Sequence, residues 1–311
     1  MLAKSHLYFN ITYRCDSACL FCAADLGPNT TARQITFKEF ASLVKKFPRD
    51  SRTRVTINGG EPALHHELVK FLRFLKRRHN QTDLFTNGRK LSSPSFAKLI
   101  GDSLGGTILI PLYGSRPEIH DAFTGVKGSW AQTVRGIRNI YGLKTHRRQL
   151  RLHLKLLFIR PLLKENLEII KYILRTFPKV DIISLHSLIV SEKVKHYPGL
   201  IPSRGELARS VNKVLAVISR HTPQIEARRI DLSDLPPCVI NRQNRPFLIR
   251  AGDRPADNWF AYYFDPGHLT LSGAQGEEEL LSSQENNCWC VCQNCRQKNR
   301  CRYLGKGQSA G

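Results

Sequence analysis

Long apolar runs are missing from this chain of 311 residues. No stretch of about 18 consecutive apolar residues occurs, so no membrane-spanning helix is expected. The N-terminus (Met1-Leu2-Ala3-Lys4-Ser5-His6) lacks the apolar segment of a secretory signal, and the expected location is cytoplasmic. Acidic residues are also scarce: 25 Asp and Glu stand against 48 Lys and Arg, a formal charge of +23. Basic residues are spread along the chain, with local runs at Lys76-Arg77-Arg78, His146-Arg147-Arg148 and Arg228-Arg229. Such a surface attracts polyanions, whether nucleic acid, an acidic peptide or a phosphorylated or carboxylated small molecule. A solvated basic face kept for solubility is the plainer alternative. No internal repeat is visible beyond an alternation of strands and helices.

What is present is a globular pattern, with 41% hydrophobic residues and a length that suits one large domain plus a small appendage. Strand-like segments occur at 7–12, 54–58, 82–86, 107–112, 150–159 and 182–190, with amphipathic stretches between them. Thr36-Phe37-Lys38-Glu39 reads as a capping box ahead of a helix that carries Phe37, Phe40, Leu43, Val44 and Phe47 on one face. Leu68, Phe71, Leu72 and Leu75 mark a second helix, and Ser93-Pro94 opens a third. Trp130, Val134, Ile137 and Ile140 mark a fourth, expected to end at Gly142, and Leu167, Ile170, Ile173, Leu174 and Phe177 a fifth. The expected fold class is α/β, a (β/α)6 partial TIM barrel followed by a small cysteine-rich C-terminal domain. Expected boundaries are 1–200 for the barrel, 201–228 for a bridging helix, 229–305 for the cysteine-rich domain and 306–311 for a disordered tail.

Nine cysteines fall in two groups, Cys15, Cys19 and Cys22, then Cys288, Cys290, Cys292, Cys295 and Cys301, with Cys238 alone between them. An odd count and this grouping point to metal binding rather than to disulfides. The first group has the spacing CxxxCxxC, with Phe21 just before its last cysteine, and it follows the first strand. Three thiolates can hold three corners of a [4Fe–4S] cube and leave the fourth iron open for chemistry. A structural zinc site is the alternative, but zinc wants four closed ligands and no fourth cysteine or histidine lies nearby in sequence. Gly59-Gly60-Glu61-Pro62 follows the second strand. In barrels the reactive loops sit at the carboxyl ends of strands, so both motifs are expected to face one mouth.

Cys15, Cys19, Phe21 and Cys22, together with Gly59-Gly60-Glu61-Pro62, closely resemble the two signatures of the radical S-adenosylmethionine (SAM) superfamily, over roughly residues 5–190. The resemblance implies that SAM chelates the open iron through its methionine end. One electron from the cluster then yields methionine and a 5′-deoxyadenosyl radical, which removes hydrogen from a substrate C–H bond. It implies catalytic roles for Cys15, Cys19 and Cys22 as cluster ligands, and SAM contacts at Phe21, Gly59, Gly60, Glu61 and Pro62. Glycines 59 and 60 are read as opening backbone carbonyls to the SAM ammonium, Glu61 as adding negative charge there, and Phe21 as lying near the adenine. Polar residues at later strand ends complete the expected SAM set: Asn87 with Thr86, Ser115 with Tyr113, Lys155 and His186. For Lys155 and His186 a snorkelling lysine and a hydrogen-bonded interior histidine are equally good readings.

Cys292-x2-Cys295-x5-Cys301 resembles part of the SPASM and shorter twitch domains, which bind auxiliary [4Fe–4S] clusters. Phe264-Asp265-Pro266-Gly267 looks like the glycine turn of that element, but Ser272 stands where a cysteine is expected. One auxiliary cluster is therefore expected, held by Cys292, Cys295, Cys301 and a fourth ligand. Cys238 is the first choice for that ligand, with Cys288 and Cys290 as alternative ligands or hydrogen donors. A zinc ribbon stays open for the same cysteines.

The resemblance implies two [4Fe–4S] clusters, SAM, and an electron donor such as flavodoxin or ferredoxin. It points to modification of a ribosomal peptide, and the positive charge suits an acidic one. Because the first strand begins within about ten residues of Met1, a leader-peptide-binding partner protein or direct capture by the barrel is expected. Radical modification of tRNA or of another anionic small molecule is the alternative. A non-enzymatic zinc-dependent nucleic-acid-binding protein accounts for cysteines and charge but not for Gly59 to Pro62.

Overall fold

A computed structural model describes residues 5–22, 34–147, 149–189, 192–221, 230–232, 235–244, 258–265 and 268–272. Six strands match the alternation in the sequence: β1 Ser5–Asn10, β2 Thr53–Asn58, β3 Gln81–Phe85, β4 Gly106–Pro111, β5 Arg151–Phe158 and β6 Ile182–Ser187. Three more join the same sheet, namely β7 Ile230–Asp231, β8 Asn258–Asp265 and β9 His268–Ser272. The order is β7-β6-β5-β4-β3-β2-β1-β8-β9, parallel throughout except for β9 against β8. The expectation of six strands thus understates the sheet. β7 has two residues, too few to show a period, and β8 and β9 flank the residues read only as a turn.

Between the strands lie α1 Phe37–Val44, α2 Leu68–Arg77, α3 Pro94–Ser103, α4 Pro117–Thr124, α5 Ser129–Lys144, α6 Glu165–Thr176, α7 Glu192–Lys195 and α8 Arg204–His221. The capping box forms as read: Glu39 N donates to Thr36 Oγ1 (3.3 Å) and Thr36 N to Glu39 Oε2 (2.9 Å). Ser93 caps α3, with Pro94 at its first position. Two helix readings need correction. α4 was missed because its few apolar residues are interspersed with polar ones, although Pro117 and Gly125 bracket it. α5 runs through Gly142 to Lys144. A helical glycine costs only about 1 kcal/mol. Here Tyr141 and Leu143 pack on the core, and Lys144 Nζ reaches Asp181 Oδ2 at 2.9 Å.

Each strand alternates between two surfaces. Leu7, Phe9, Val55, Ile57, Leu152, Leu154 and Leu185 join the core under the helices, where Phe40 stacks on Phe71 (centroids 4.6 Å apart) and packs tilted against Phe9 (4.7 Å). The opposite surface is polar. His6, Thr56, Asp83, Thr107, His153 and Ser184 are buried there, with His6 Nε2 and Thr56 Oγ1 sharing a hydrogen bond of 2.8 Å. Arg54 Nε donates to Asp83 Oδ2 at 2.5 Å.

Asp231 on β7 acts electrostatically on both Arg54 on β2 and His153 on β5. In a flat sheet β7 and β2 would stand roughly 24 Å apart, at about 4.8 Å per strand. The sheet therefore curls, with its polar surface inside, as a partial barrel does. Burial holds His153 well below the usual histidine range, so it is neutral in the fold. Among the described residues, no helix is long and apolar enough to cross a membrane.

Candidate functional site

The site is built where β1 and β2 end. After β1 the chain turns into the loop bearing Cys15, Cys19 and Cys22; after β2 it turns into Gly59-Gly60-Glu61-Pro62. The two loops are hydrogen-bonded to each other. Gly60 N donates to Thr12 O (2.7 Å) and Glu61 N to Arg14 O (2.8 Å). This contact dictates both glycines. A Cβ on Gly59 would lie 2.3 Å from Thr12 O, and one on Gly60 2.3 Å from Arg14 O. Gly59 also has φ +147, which L side chains rarely adopt. Packing against the stem of the thiol loop is thus a reason for glycine that sequence reading missed, because it depends on β1 and β2 being neighbours.

Glu61 is fully buried, and its carboxylate faces three donors. Thr86 Oγ1 (2.6 Å) and Ala63 N (2.9 Å) donate to Oε1, and Asn87 N (2.7 Å) donates to Oε2. Burial raises its pKa from 4.5 to about 7, against the pull of these three bonds. Glu61 therefore ties the end of β2 to the end of β3. Asn87 continues the chain of bonds: its Nδ2 donates to Asp16 Oδ1 (2.6 Å), inside the thiol loop. Thr86 and Asn87 thus brace the two motifs together.

The three thiols are half-buried and sense one another. Burial first, then neighbouring charge including Cys22, pushes Cys15 up to about 11. Cys19 rises to about 12, from burial and then from Cys22 and Cys15. Thiols in this state become thiolates when a cation takes the proton's place. Among the described residues no three His, Cys, Asp or Glu are gathered as a metal-ion site. Three thiolate donors suit a four-iron cube, whose protein ligands bind different irons.

The remaining expected contacts are distributed around this centre. Phe21 is 8% exposed and packs edge-on against Tyr113 (centroids 4.7 Å apart) and near Phe123 (6.3 Å). It belongs to an apolar cluster with Leu157, Ile159, Leu188 and Ile201, against which Cys19 also packs. Ser115 Oγ donates to Glu165 Oε1 (2.6 Å), and Ser115 N donates to the same oxygen (2.8 Å). Glu165, at the start of α6, was not foreseen; it precedes Asn166, and no spacing marks it. Lys155 and His186 are half-buried on the polar interior of β5 and β6, in register with Ser184 and Leu157. Cys238 lies in a 3₁₀ turn, Pro237–Val239, packed against the core beside α8. Phe264 and Asp265 end β8, and Ser272 ends β9. Cys288, Cys290, Cys292, Cys295 and Cys301 lie outside the described residues, as do Pro266 and Gly267.

A curled parallel sheet with a three-thiol loop and a glycine cradle at the carboxyl ends of its first two strands defines an α/β protein built to hold an iron–sulfur centre. Residues 9–183 match the sequence model of the Radical SAM superfamily, and the chain belongs to that superfamily. Membership implies SAM and a [4Fe–4S] cluster. Curated relatives include the mycofactocin maturase MftC of Mycolicibacterium smegmatis, 27% identical over 134 residues, covering 43% of this chain and 33% of MftC. The antilisterial bacteriocin subtilosin biosynthesis protein AlbA of Bacillus subtilis is 26% identical over 133 residues, covering 43% of this chain and 30% of AlbA. The chain spans about a third of the length of these relatives. Among solved structures, SuiB of Streptococcus suis bound to its precursor peptide SuiA superposes with a TM-score of 0.57 at 14% identity, covering 84% of this chain and 57% of SuiB. At that identity the likeness shows the fold.

Proposed function

We propose that this protein is a radical SAM enzyme that removes a hydrogen atom from a ribosomal peptide substrate. The observation that carries the reading is the direct bonding of the thiol loop to Gly60 and Glu61, which joins a cluster-binding motif and a SAM-binding motif into one site. Cys15, Cys19 and Cys22 would hold the cluster. The cluster and SAM together supply the 5′-deoxyadenosyl radical. The chain's own part is orientation and exclusion: Glu61, Thr86 and Asn87 keep the two loops in register, and the apolar cluster around Phe21 and Tyr113 walls the site from water. A peptide substrate is supported by the kinds of protein this chain resembles, and an acidic one by the charge of +23. An auxiliary [4Fe–4S] cluster on Cys292, Cys295 and Cys301, with Cys238 or one of Cys288 and Cys290, belongs to the same reading. So do a flavodoxin or ferredoxin as electron donor, a leader-peptide-binding partner protein and a cytoplasmic setting.

A second reading is favoured by other relatives, such as the AdoMet-dependent heme synthase of Oleidesulfovibrio alaskensis, 26% identical over 129 residues. It takes the substrate to be an anionic small molecule. Anaerobic reconstitution with iron and sulfide counts, followed by reductant and SAM, tests the enzyme. About eight irons with slow release of 5′-deoxyadenosine is the expected result. Four irons would remove the auxiliary cluster, and zinc without SAM cleavage would overturn the enzyme. Faster 5′-deoxyadenosine release on adding a short acidic peptide encoded beside the gene, but not on adding a polycarboxylate metabolite, separates the two substrates.

A further inference from the structure

A largely buried arginine touches the thiol loop. Arg89 follows Asn87 at the end of β3, and its side chain is 14% exposed. Its Nη1 donates to the backbone carbonyl of Asp16 and lies 3.3 Å from Asp16 Oδ2. Its Nε donates to Gln132 Oε1 on α5 at 2.7 Å. Asn87 Nδ2 takes the other carboxylate oxygen of Asp16 at 2.6 Å, and Arg89 N donates to Asn87 Oδ1 at 3.0 Å. Two residues further along the loop, Ala18 N donates to Thr124 O at the end of α4 (2.8 Å). Every polar oxygen of Asp16 is thus engaged, and the stretch between Cys15 and Cys19 is tied to the segment after β3 and to the end of α4, with α5 reached through Arg89.

We infer that Arg89 is a positioning residue: acting through Asp16, it holds the Cys15-to-Cys22 loop in the geometry that retains the iron–sulfur cluster. This rests on reading the three thiols as cluster ligands. An arginine suits the task because its planar fork can grip Gln132 with Nε and Asp16 with Nη1 at once. A lysine ammonium can serve one of these partners but not both in the same geometry. Asp16 itself places a carboxylate held by Asn87 and Arg89 next to Cys15 in the chain.

The test uses the full chain, reconstituted anaerobically, in four forms: wild type, Arg89→Gln, Arg89→Lys and the double variant Asp16→Asn/Arg89→Gln. The first readout is the rate at which iron is lost to a ferrous chelator. The second is the electron paramagnetic resonance signal of the reduced protein with and without SAM. Removing an outer partner commonly costs 10–100-fold in metal affinity, so Arg89→Gln should lose its iron about 10- to 100-fold faster. Its signal on adding SAM should be altered. Arg89→Lys should fall between Arg89→Gln and wild type. The double variant should lose iron no faster than Arg89→Gln, since the two residues act as one unit. Iron loss and signal unchanged in Arg89→Gln overturn the inference, and so does an additive double variant. If the metal-free Arg89→Gln chain melts as unfolded, Gln132→Ala, at the exposed end of the brace, should show the same effects in weaker form; wild-type behaviour there overturns it. A wild-type chain that takes up no iron overturns the cluster reading itself, and the brace with it.

Discussion

Glu61 should make the stability of this protein fall as pH rises through the neutral range. Its carboxyl is fully buried, and its pKa is raised from 4.5 to about 7. A raised pKa means that the folded state holds a proton which the unfolded chain has released. Between these two values stability therefore declines as pH climbs. The rise from 4.5 to about 7 corresponds to ~3 kcal/mol in total, of which about 2.5 kcal/mol falls between pH 5 and 8. Glu61→Gln keeps the shape and cannot ionise. Its amide oxygen can still accept from Thr86 Oγ1 and Ala63 N, while its NH2, unlike the hydroxyl oxygen of the protonated acid, cannot accept from Asn87 N, a cost that does not vary with pH. The variant should thus lack the pH dependence of Glu61 and differ from protonated wild type by a constant. The measurement is urea unfolding of the metal-free wild type and Glu61→Gln side by side at pH 5, 6, 7 and 8. The stability of wild type minus that of the variant should drop by about 2.5 kcal/mol across the series. A flat difference, or one that grows with pH, would show that the three donors outweigh burial and that Glu61 is ionised throughout.

Gly60→Ala should destabilise the metal-free chain by about 1–3 kcal/mol, because the new Cβ meets backbone rather than a yielding side chain. It should also reduce 5′-deoxyadenosine release, and a variant as stable and active as wild type would refute the cradle. His153 titrates in the opposite sense to Glu61. Burial depresses its pKa, so stability is present above the ordinary histidine value of 6.5 and is lost as pH falls below it, at up to about 1.4 kcal/mol per pH unit. In His153→Gln that part of the acid sensitivity should vanish from the melting curves. Cys19→Ala should abolish SAM cleavage and lower the iron count, whereas Cys295→Ala should spare uncoupled SAM cleavage more than substrate turnover. Equal loss in both would overturn the division of labour proposed between Cys19 and Cys295.

The residues proposed to do chemistry were legible in the sequence to the extent that local spacing marks them. Cys15, Cys19 and Cys22 sit within eight residues, and Gly59 to Pro62 are contiguous, so neither motif needs the fold to be seen. The helices announced themselves through caps and apolar periodicity, as at Thr36 and Ser93, because those signals are also local. β7 was too short for a period to emerge, and α4 has too few apolar residues to show one. Contacts across sequence were not legible. Glu165 reaches Ser115 from 50 positions away, and Arg89 reaches Asp16 from 73. A hydrogen bond of that kind leaves no repeat in the chain.

By itself, then, the sequence determined the two motifs, since three closely spaced thiols and a contiguous Gly59-Gly60-Glu61-Pro62 are local features. It also determined the alternating elements, since their periods are local. Only the tertiary structure decided how the centre is held. Parallel pairing of β1 with β2 brings Thr12 and Arg14 against Gly59 and Gly60, so the glycines answer to backbone atoms more than forty residues away. The neighbouring end of β3 then supplies Thr86 and Asn87 to a carboxyl that burial has made hard to ionise, and Arg89 to the thiol loop. Strand order and burial are properties of the assembled sheet. They turn two short motifs into one braced site.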